Sequence, residues 1–237
     1  MARNRGMEAA SGNYIGFLDA DDYYHSDKII RQVCCLEKHP EIGWTYCDSI
    51  LHDEDSGESL LFSERYEYHK RLALDGPRLF ESLIPANFIP VYAPLIRRKY
   101  VESVGPFDKR FSGIEDFDYW LRLSAVAKAK YLPEPLASYR WHQHSLGKHL
   151  DRMSRDKYTI LDQIWSLYTA RIKQCGAQAK RAIADMHNFF ACHHLENNEP
   201  YPALRRLRHS LSLCPLQGMA SWNLLKALYQ SATARQV

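Results

Sequence analysis

An acidic turn, Asp19-Ala20-Asp21-Asp22, follows an apolar run near the start of the chain. Several carboxylates on one tight turn repel one another unless a cation lies between them. Mg²⁺ and Mn²⁺ prefer oxygen ligands and are commonly shared between one or two carboxylates and the phosphates of a substrate. The turn therefore indicates a divalent metal next to a diphosphate, although a solvated acidic turn has the same composition.

Two further groups of residues have side chains that suit group transfer. Glu115-Asp116 opens a predicted amphipathic helix, where a carboxylate either caps the helix or acts as a general base. Arg140 and His142 lie in the string YRWHQHS, and their side chains could neutralise a departing diphosphate or complete a metal shell. A zinc site and an exposed loop are the alternatives for the His-x-His pair.

Alternating helix and strand patterns place the acidic turn at the end of a strand. Residues 2–11 have a helical pattern, and residues 14–18 form an apolar strand that leads into the turn. A helix over residues 26–39 and a strand over residues 42–47 follow. Because α/β sheets bind ligands beyond the carboxyl ends of their strands, we expect the turn to lie at a ligand site.

The later part of the chain changes from mixed to helical texture. A strand over residues 92–96 precedes the helix at Glu115, and two short extended runs broken by prolines follow Val126. Only helical patterns occur after about Leu150. We therefore expect a first domain over residues 1–148 and a helical segment over residues 149–237.

Composition describes a folded protein without an obvious charged partner. The 237 residues are 46% hydrophobic, and 31 basic against 28 acidic residues give a formal charge of +3, so nucleic acid is not a predicted partner. The six cysteines form no CxxC pair, which favours reduced thiols and a cytoplasmic protein. No signal peptide or long apolar run is present, so any membrane contact is expected to be peripheral, at the inner face.

Four strings, in one collinear order, resemble family 2 glycosyltransferases. The first resembles that family's segment around its Asp-x-Asp motif, and the next two resemble its acceptor-side strand with a Gly-x-Phe-Asp turn and its Glu-Asp catalytic motif. The last resembles the end of its catalytic domain. The strings are ARNRGMEAASGNYIGFLDADD, IRRKYVESVGPFDKRF, GIEDFDYWLRL and YLPEPLASYRWHQHS.

This resemblance implies an α/β fold of the GT-A (Rossmann-like) type, with the sheet of a nucleotide-diphospho-sugar transferase. It implies transfer of a sugar, with inversion, from a nucleoside-diphosphate sugar, of which a UDP-sugar is the expected one, to a glycan or lipid-linked acceptor in polysaccharide synthesis. Mn²⁺ or Mg²⁺ is the implied cofactor. The implied roles are nucleotide-sugar binding for Arg3, Asp19, Ala20, Asp21 and Arg140, metal binding for Asp21 and His142, and catalysis for Asp116 as general base with Glu115 as the next candidate.

The sequence departs from the family pattern at its front. A domain of this kind begins with strands that hold the base and ribose, whereas Met1 here lies just before the ARNRG string, so we expect a sheet without its first strands. This departure leaves a second hypothesis open. In it the protein is a non-catalytic relative of the glycosyltransferases that acts through its helical segment.

Two other readings of the acidic turn fit less well. A phosphohydrolase with an Asp-x-Asp nucleophile expects Thr or Val after the second Asp, where this chain has Asp22. An EF-hand loop expects glycine at its sixth position, where this chain has Tyr24.

The helical segment resembles part of a tetratricopeptide repeat. Residues 203–215 follow the spacing A-x3-L-x2-S-L-x-L-x-P of a second repeat helix. One repeat does not bury a core alone, so a protein partner at this segment is an open expectation. The basic strip Arg205, Arg206 and Arg208 is interpreted as a solvated helix face in preference to a site for anionic lipid.

Overall fold

A computed structural model describes residues 2–65, 75–85, 87–111, 113–142, 157, 159–160, 167–168, 172 and 176–233. The chain divides into two compact units, Met1–Asp156 and Lys157–Val237. Within the described ranges, no helix is long and apolar enough to cross a bilayer. Cys34, Cys35, Cys47, Cys192 and Cys214 are free thiols.

The first unit is built on one mixed sheet with flanking helices. The strands are β1 Tyr14–Gly16, β2 Tyr23–Tyr24, β3 Trp44–Asp53, β4 Ser59–Leu61, β5 Pro94–Arg97 and β6 Ala129–Trp141. The helices are α1 Ala2–Ala9, α2 Lys28–Lys38, α3 Phe62–Arg65, α4 Leu79–Leu83, α5 Arg98–Val104 and α6 Glu115–Val126, with a 3₁₀ turn at Gly76–Arg78. This architecture agrees with the expected α/β class.

The strand order brings the acidic turn and the Glu-Asp helix into one unit. The sheet runs β1-β5-β3-β6-β2, with β4 on β3. Strands β3 and β6 are parallel, whereas the other pairs are antiparallel. The acidic turn connects β1 to β2, so it joins the two ends of this strand order.

Strand β6 is longer than the sequence predicts. The two short runs expected after Val126 form one strand, which pairs along the whole of β3. Leu132 pairs with Cys47 and Pro135 with the next residue, Asp48, so Pro133 and Glu134 have no partner in that register. Proline lacks the N–H that a ladder requires, and an irregularity of this kind accommodates it without ending the strand.

Aromatic packing fixes α6 against the sheet. Trp120 of α6 stacks on Trp44 of β3 with ring centroids 5.8 Å apart, and both are fully buried. Tyr119 stacks on Phe107 at 4.2 Å. At the start of β3, a side chain on Gly43 would meet Tyr100 at 2.6 Å, so this close approach requires glycine. These contacts set where α6 begins, and hence where Glu115 and Asp116 lie.

The second unit is helical in its described part. Its helices are α7 Ala177–Glu196, α8 Pro200–Leu213 and α9 Gly218–Thr233, and a core of buried apolar residues joins them. Residues 203–213 lie in α8, and Ala203, Leu207 and Ser210 are fully buried. The helical character is therefore confirmed, while the repeat assignment stays a prediction. The predicted boundary at residue 148 lies outside the described residues.

Candidate active site

Arg3 joins two other predicted site residues, Asp19 and Glu115, into one cluster. Its guanidinium donates to Asp19 at 2.7 and 3.0 Å and to Glu115 at 2.5 Å, across separations of 16 and 112 residues. Burial alone would lower the pKa of Arg3, but the two carboxylates raise it above its usual value. The cluster therefore holds the end of β1 against the start of α6.

Asp116 lies beside this cluster in a partly buried position. Asn87 donates its side-chain amide to one carboxylate oxygen of Asp116 at 3.0 Å, and the backbone N–H of Phe117 donates to the other at 2.8 Å. Burial raises the pKa of Asp116 to about 7, and the charge of Glu115 adds to this, while the two hydrogen bonds and Arg3 oppose it. A carboxyl group that titrates near neutral pH suits a general base.

Neither Glu115 nor Asp116 occupies the N-cap position of α6. The N-cap residue of α6 is Ile114, and it makes no side-chain capping bond. Glu115 accepts from the backbone N–H of Gly113 at 2.7 Å, outside the helix. Both carboxylates lie in the first turn, where the helix dipole still favours negative charge.

Asp22 of the acidic turn is a buried carboxyl group. One of its oxygens accepts from the backbone N–H of Arg140 at 3.1 Å, and the other has no hydrogen-bond partner. Burial raises its pKa to about 7, and the charges of Asp21 and Asp19 act in the same direction. The sequence marked Asp22 as part of the acidic turn without giving it a role.

Asp21 of the acidic turn lies in contact with His142, which directly follows β6. A ring nitrogen of His142 lies 3.2 Å from a carboxylate oxygen of Asp21. These are the two residues expected to hold the metal. The described residues include no group of three or more His, Cys, Asp or Glu side chains placed to hold a metal ion. A pair of this kind fits a Mg²⁺ or Mn²⁺ ion that takes its remaining ligands from substrate phosphates and water.

Arg140 contacts the turn through its backbone and not through its guanidinium. The side chain donates to Glu54 at 2.5 and 2.8 Å and is half exposed. Glu54 lies in the turn between β3 and β4, and no sequence pattern predicts it as a site residue. The expected role of Arg140 at a diphosphate stays a prediction.

A groove lies beside the acidic turn. It has a volume of about 510 Å³, within the range of ligand sites. Arg3, Asp19 and the exposed Ala20 line it, together with residues of α1 and β1. Three of the residues expected to bind the nucleotide sugar therefore share one surface.

Comparison with known proteins identifies the family to which the chain belongs. The pattern of the family described as "Glycosyltransferase like family 2" matches residues 1–189 of the 237. The amylovoran biosynthesis glycosyltransferase AmsB of Erwinia amylovora is 27% identical over 58% of this chain and 45% of its own length. The putative teichuronic acid biosynthesis glycosyltransferase TuaG of Bacillus subtilis is 23% identical over 77% of this chain and 69% of its own.

The match extends to other bacterial proteins of greater length. An uncharacterized glycosyltransferase of Rickettsia felis is 24% identical over 70% of this chain and 27% of its own length. The chain thus spans less than half the length of AmsB and of this relative. Because the family pattern covers most of the sequence, the chain belongs to glycosyltransferase-like family 2.

Proposed function

We propose that this protein transfers a sugar from a nucleoside-diphosphate sugar to an acceptor hydroxyl, with inversion at the anomeric carbon, on a GT-A fold. The observation that carries the proposal is the Asp116 carboxylate, held by hydrogen bonds from Asn87 and Phe117 beside the cluster of Arg3, Asp19 and Glu115. Burial, which raises its pKa to about 7, agrees with this role. The names of two relatives point to amylovoran and teichuronic acid biosynthesis. A polysaccharide or lipid-linked glycan is accordingly the acceptor class proposed here.

Asp116 is the general base in this mechanism. The acceptor hydroxyl loses its proton to the Asp116 carboxylate as its oxygen attacks the anomeric carbon. The bond between that carbon and the diphosphate oxygen breaks on the opposite side, so the configuration inverts. Asn87 orients the carboxylate through its hydrogen bond of 3.0 Å, and Glu115 helps to keep its pKa near neutrality.

The donor binds at the acidic turn. Asp19 is held by Arg3, and both line the groove with Ala20, which places them for the ribose and the diphosphate of a UDP-sugar. Arg3 already serves two carboxylates, so its charge is only partly available to an anion. Arg140 reaches a diphosphate only when its ion pair with Glu54 breaks. That pair is exposed to solvent and therefore contributes little stability.

Asp21 and His142 would hold Mn²⁺ or Mg²⁺ in this proposal. When bound, the ion supplies positive charge that offsets the negative charge growing on the leaving diphosphate. The chain itself contributes one carboxylate and one neutral imidazole to that site. Asp21 is about half exposed, which leaves room for phosphate and water ligands.

The proposal is tested by an isosteric change at Asp116. Asp116→Asn keeps the shape and removes the proton acceptor, so we expect UDP release from UDP-glucose, UDP-galactose or UDP-N-acetylglucosamine to fall by roughly 10²–10⁴-fold. The matched control is Asp118→Asn on the same helix, because Asp118 pairs with Arg122 and contacts no site residue. An Asp116→Asn protein that melts normally and keeps its turnover would exclude Asp116 as the base.

The metal part of the proposal has its own test. We expect Mn²⁺ to tighten UDP binding measured by calorimetry, and Asp21→Asn to remove most of that dependence while leaving metal-free binding unchanged. Asp27→Asn is the control, since Asp27 is an exposed carboxylate of unit 1 that pairs only with Arg31. Equal Mn²⁺ dependence in wild type and Asp21→Asn would contradict the assigned metal site.

A further inference from the structure

The C-terminal stretch of the chain has an unbalanced charge. Residues 200–237 contain five basic residues and no Asp or Glu, whereas the rest of the chain has 31 − 5 = 26 basic and 28 − 0 = 28 acidic residues. The formal net charge of +3 is therefore the sum of +5 on residues 200–237 and −2 on the rest of the chain. A local asymmetry of this kind indicates an anionic partner for the positive segment.

An apolar stripe runs along the exposed side of α9. It consists of Met219, Trp222, Leu225 and Tyr229, which are 71%, 70%, 61% and 73% exposed. Their spacing of three, three and four residues places them on one face of the helix. The opposite face carries Ala220 and Ala227, which are fully buried against α7 and α8. A stripe of four large apolar side chains on a folded unit marks an interaction surface.

A basic groove adjoins the stripe. It lies between α8 and α9, has a volume of about 850 Å³, and is lined on the α8 side by Arg205, Arg208 and His209. Leu228 lines it on the α9 side, three residues from Leu225 of the stripe, so the two features are continuous. Within the described ranges, Arg205 and Arg208 form no ion pair.

The structure separates the three arginines that the sequence groups together. Arg206 is 9% exposed and lies on the buried side of α8, whereas Arg205 and Arg208 are exposed. Burial, together with the charges of His209, Arg206 and Arg205, lowers the pKa of His187 to about 3. Two of the three arginines therefore present their charge to solvent at the groove, while the third lies on the inner side of the helix.

We propose that the apolar stripe and the basic groove together form a docking surface for the anionic face of a lipid bilayer. Trp222 and Tyr229 have apolar rings with one polar group each, which suits the boundary between headgroups and acyl chains. Arg205 and Arg208 line the adjoining groove, where they can pair with lipid phosphates. A second copy of the chain is disfavoured as the occupant, because its own segment of charge +5 would face the same cations. This surface does not depend on the proposed transferase chemistry.

Vesicle sedimentation of the 237-residue protein tests the proposal. Vesicles of phosphatidylcholine containing about a third phosphatidylglycerol should bind the protein, and pure phosphatidylcholine should bind it much more weakly. The double variant Arg205→Gln/Arg208→Gln should lose about 30-fold in affinity for the anionic vesicles, because each cation near such a surface contributes about five-fold. Lys38→Gln/Lys109→Gln, a matched loss of two exposed cations in the first unit, should change binding by less than two-fold.

The apolar stripe is tested separately. Trp222→Ser/Tyr229→Ser should abolish binding that survives at about 0.5 M salt, where charge attraction is screened. Ile29→Ser/Ile30→Ser, which changes two exposed apolar residues of α2, is the control. Equal binding to anionic and neutral vesicles would overturn the proposal. So would a dimer in sedimentation velocity that Trp222→Ser/Tyr229→Ser dissociates while vesicle binding is absent.

Discussion

Asp116 and Asp22 are two carboxyl groups whose pKa values are raised to about 7, in both cases chiefly by burial. Only one of these two carboxyl groups is oriented by hydrogen bonds on both of its oxygens. Asp116 accepts hydrogen bonds on both oxygens, whereas Asp22 accepts on one oxygen and has no partner on the other. This difference favours Asp116 as the proton acceptor, whereas Asp22 keeps one buried carboxylate oxygen without a hydrogen-bond partner.

The pH dependence of turnover distinguishes these two carboxyl groups. A general base must be deprotonated, so kcat/KM should fall about tenfold for each pH unit below about 7 and level off above it. Asp22→Asn should keep this profile, since Asp116 still titrates. A profile that is flat between pH 5 and 8, or one that Asp22→Asn abolishes, would contradict the assignment of Asp116.

The same raised pKa values affect stability in the opposite direction. A carboxyl group whose pKa is higher in the folded state stabilises the fold at pH values below its unfolded pKa, and this contribution is lost as pH rises through about 7. Asp22→Asn should therefore raise the free energy of unfolding more at pH 8 than at pH 5. Urea unfolding at the two pH values measures the difference, and an equal effect at both would show that Asp22 does not titrate as described.

The site residues differ in how far the sequence could reveal them. The acidic turn and Glu115-Asp116 were found because carboxylates at a strand end and at a helix start form local patterns. Arg3 came only from the resemblance of its string, and nothing local predicts that it joins residues 16 and 112 positions away. Asn87 and Glu54 gave no signal, because a single amide or carboxylate in a loop is an ordinary surface residue.

At the scale of elements, local patterns located four of the six described strands but not their lengths, and they missed β2 and β4. The predicted strand over residues 42–47 extends in β3 to Asp53, and the two runs after Val126 merge into β6. The extra length comes from pairing between residues some 85 positions apart, such as Trp44 with Ala129. Local patterns miss such pairing, because the hydrogen bonds that keep β6 extended on both sides of the unpaired Pro133 come from the distant strand β3.

Helix α2 contains a buried lysine whose burial the sequence pattern does not predict. Lys28 is fully buried, donates to Gln32 at 2.7 Å, and its ammonium lies 4.0 Å from the centre of the Tyr24 ring. Tyr24 in turn donates its hydroxyl to the carbonyl of Phe17, and so closes the segment that carries the acidic turn. Lys28 therefore stabilises the acidic turn by packing against Tyr24.

Lys28 should be visible in the pH dependence of stability. Burial lowers its pKa to about 8, so between about pH 8 and the unfolded value near 10.5 the unfolded chain binds more protons. The free energy of unfolding should rise with pH in this window, by up to roughly 1.4 kcal/mol per pH unit. Lys28→Met keeps the side-chain length and should remove the slope between pH 8 and 9.5 in urea unfolding. Lys38→Met, at an exposed position of α2, should leave the slope as it is.

At the scale of the whole molecule, each compact unit has its own core. Every residue assigned to the transferase site lies in the first unit, while the apolar stripe and the basic groove lie in the second. The change of texture in the sequence predicts a boundary near residue 148, which lies outside the described residues and stays a prediction. The sequence could not anticipate which face of α9 stays exposed, because Trp222 and Ala220 are both apolar and only the packing of α7 and α8 distinguishes their environments.

The separate cores predict that the helical unit can be destabilised without loss of chemistry. Leu207 is fully buried in the core that α7, α8 and α9 share, and Leu207→Ala should lower the stability of that unit by about 2–5 kcal/mol. Leu121, fully buried in α6, is the matched position in the first unit. Leu121→Ala creates a comparable cavity on the helix that carries Asp116.

The two variants give opposite expectations in the same assay. After Leu207→Ala, helical content should melt in an earlier step, while UDP release measured below that step should stay within two-fold of wild type. After Leu121→Ala, UDP release should fall together with the stability of the first unit, because α6 positions Glu115 and Asp116. If Leu207→Ala reduced UDP release as strongly as Leu121→Ala at a temperature where both variants remain folded, the cores would not be energetically independent.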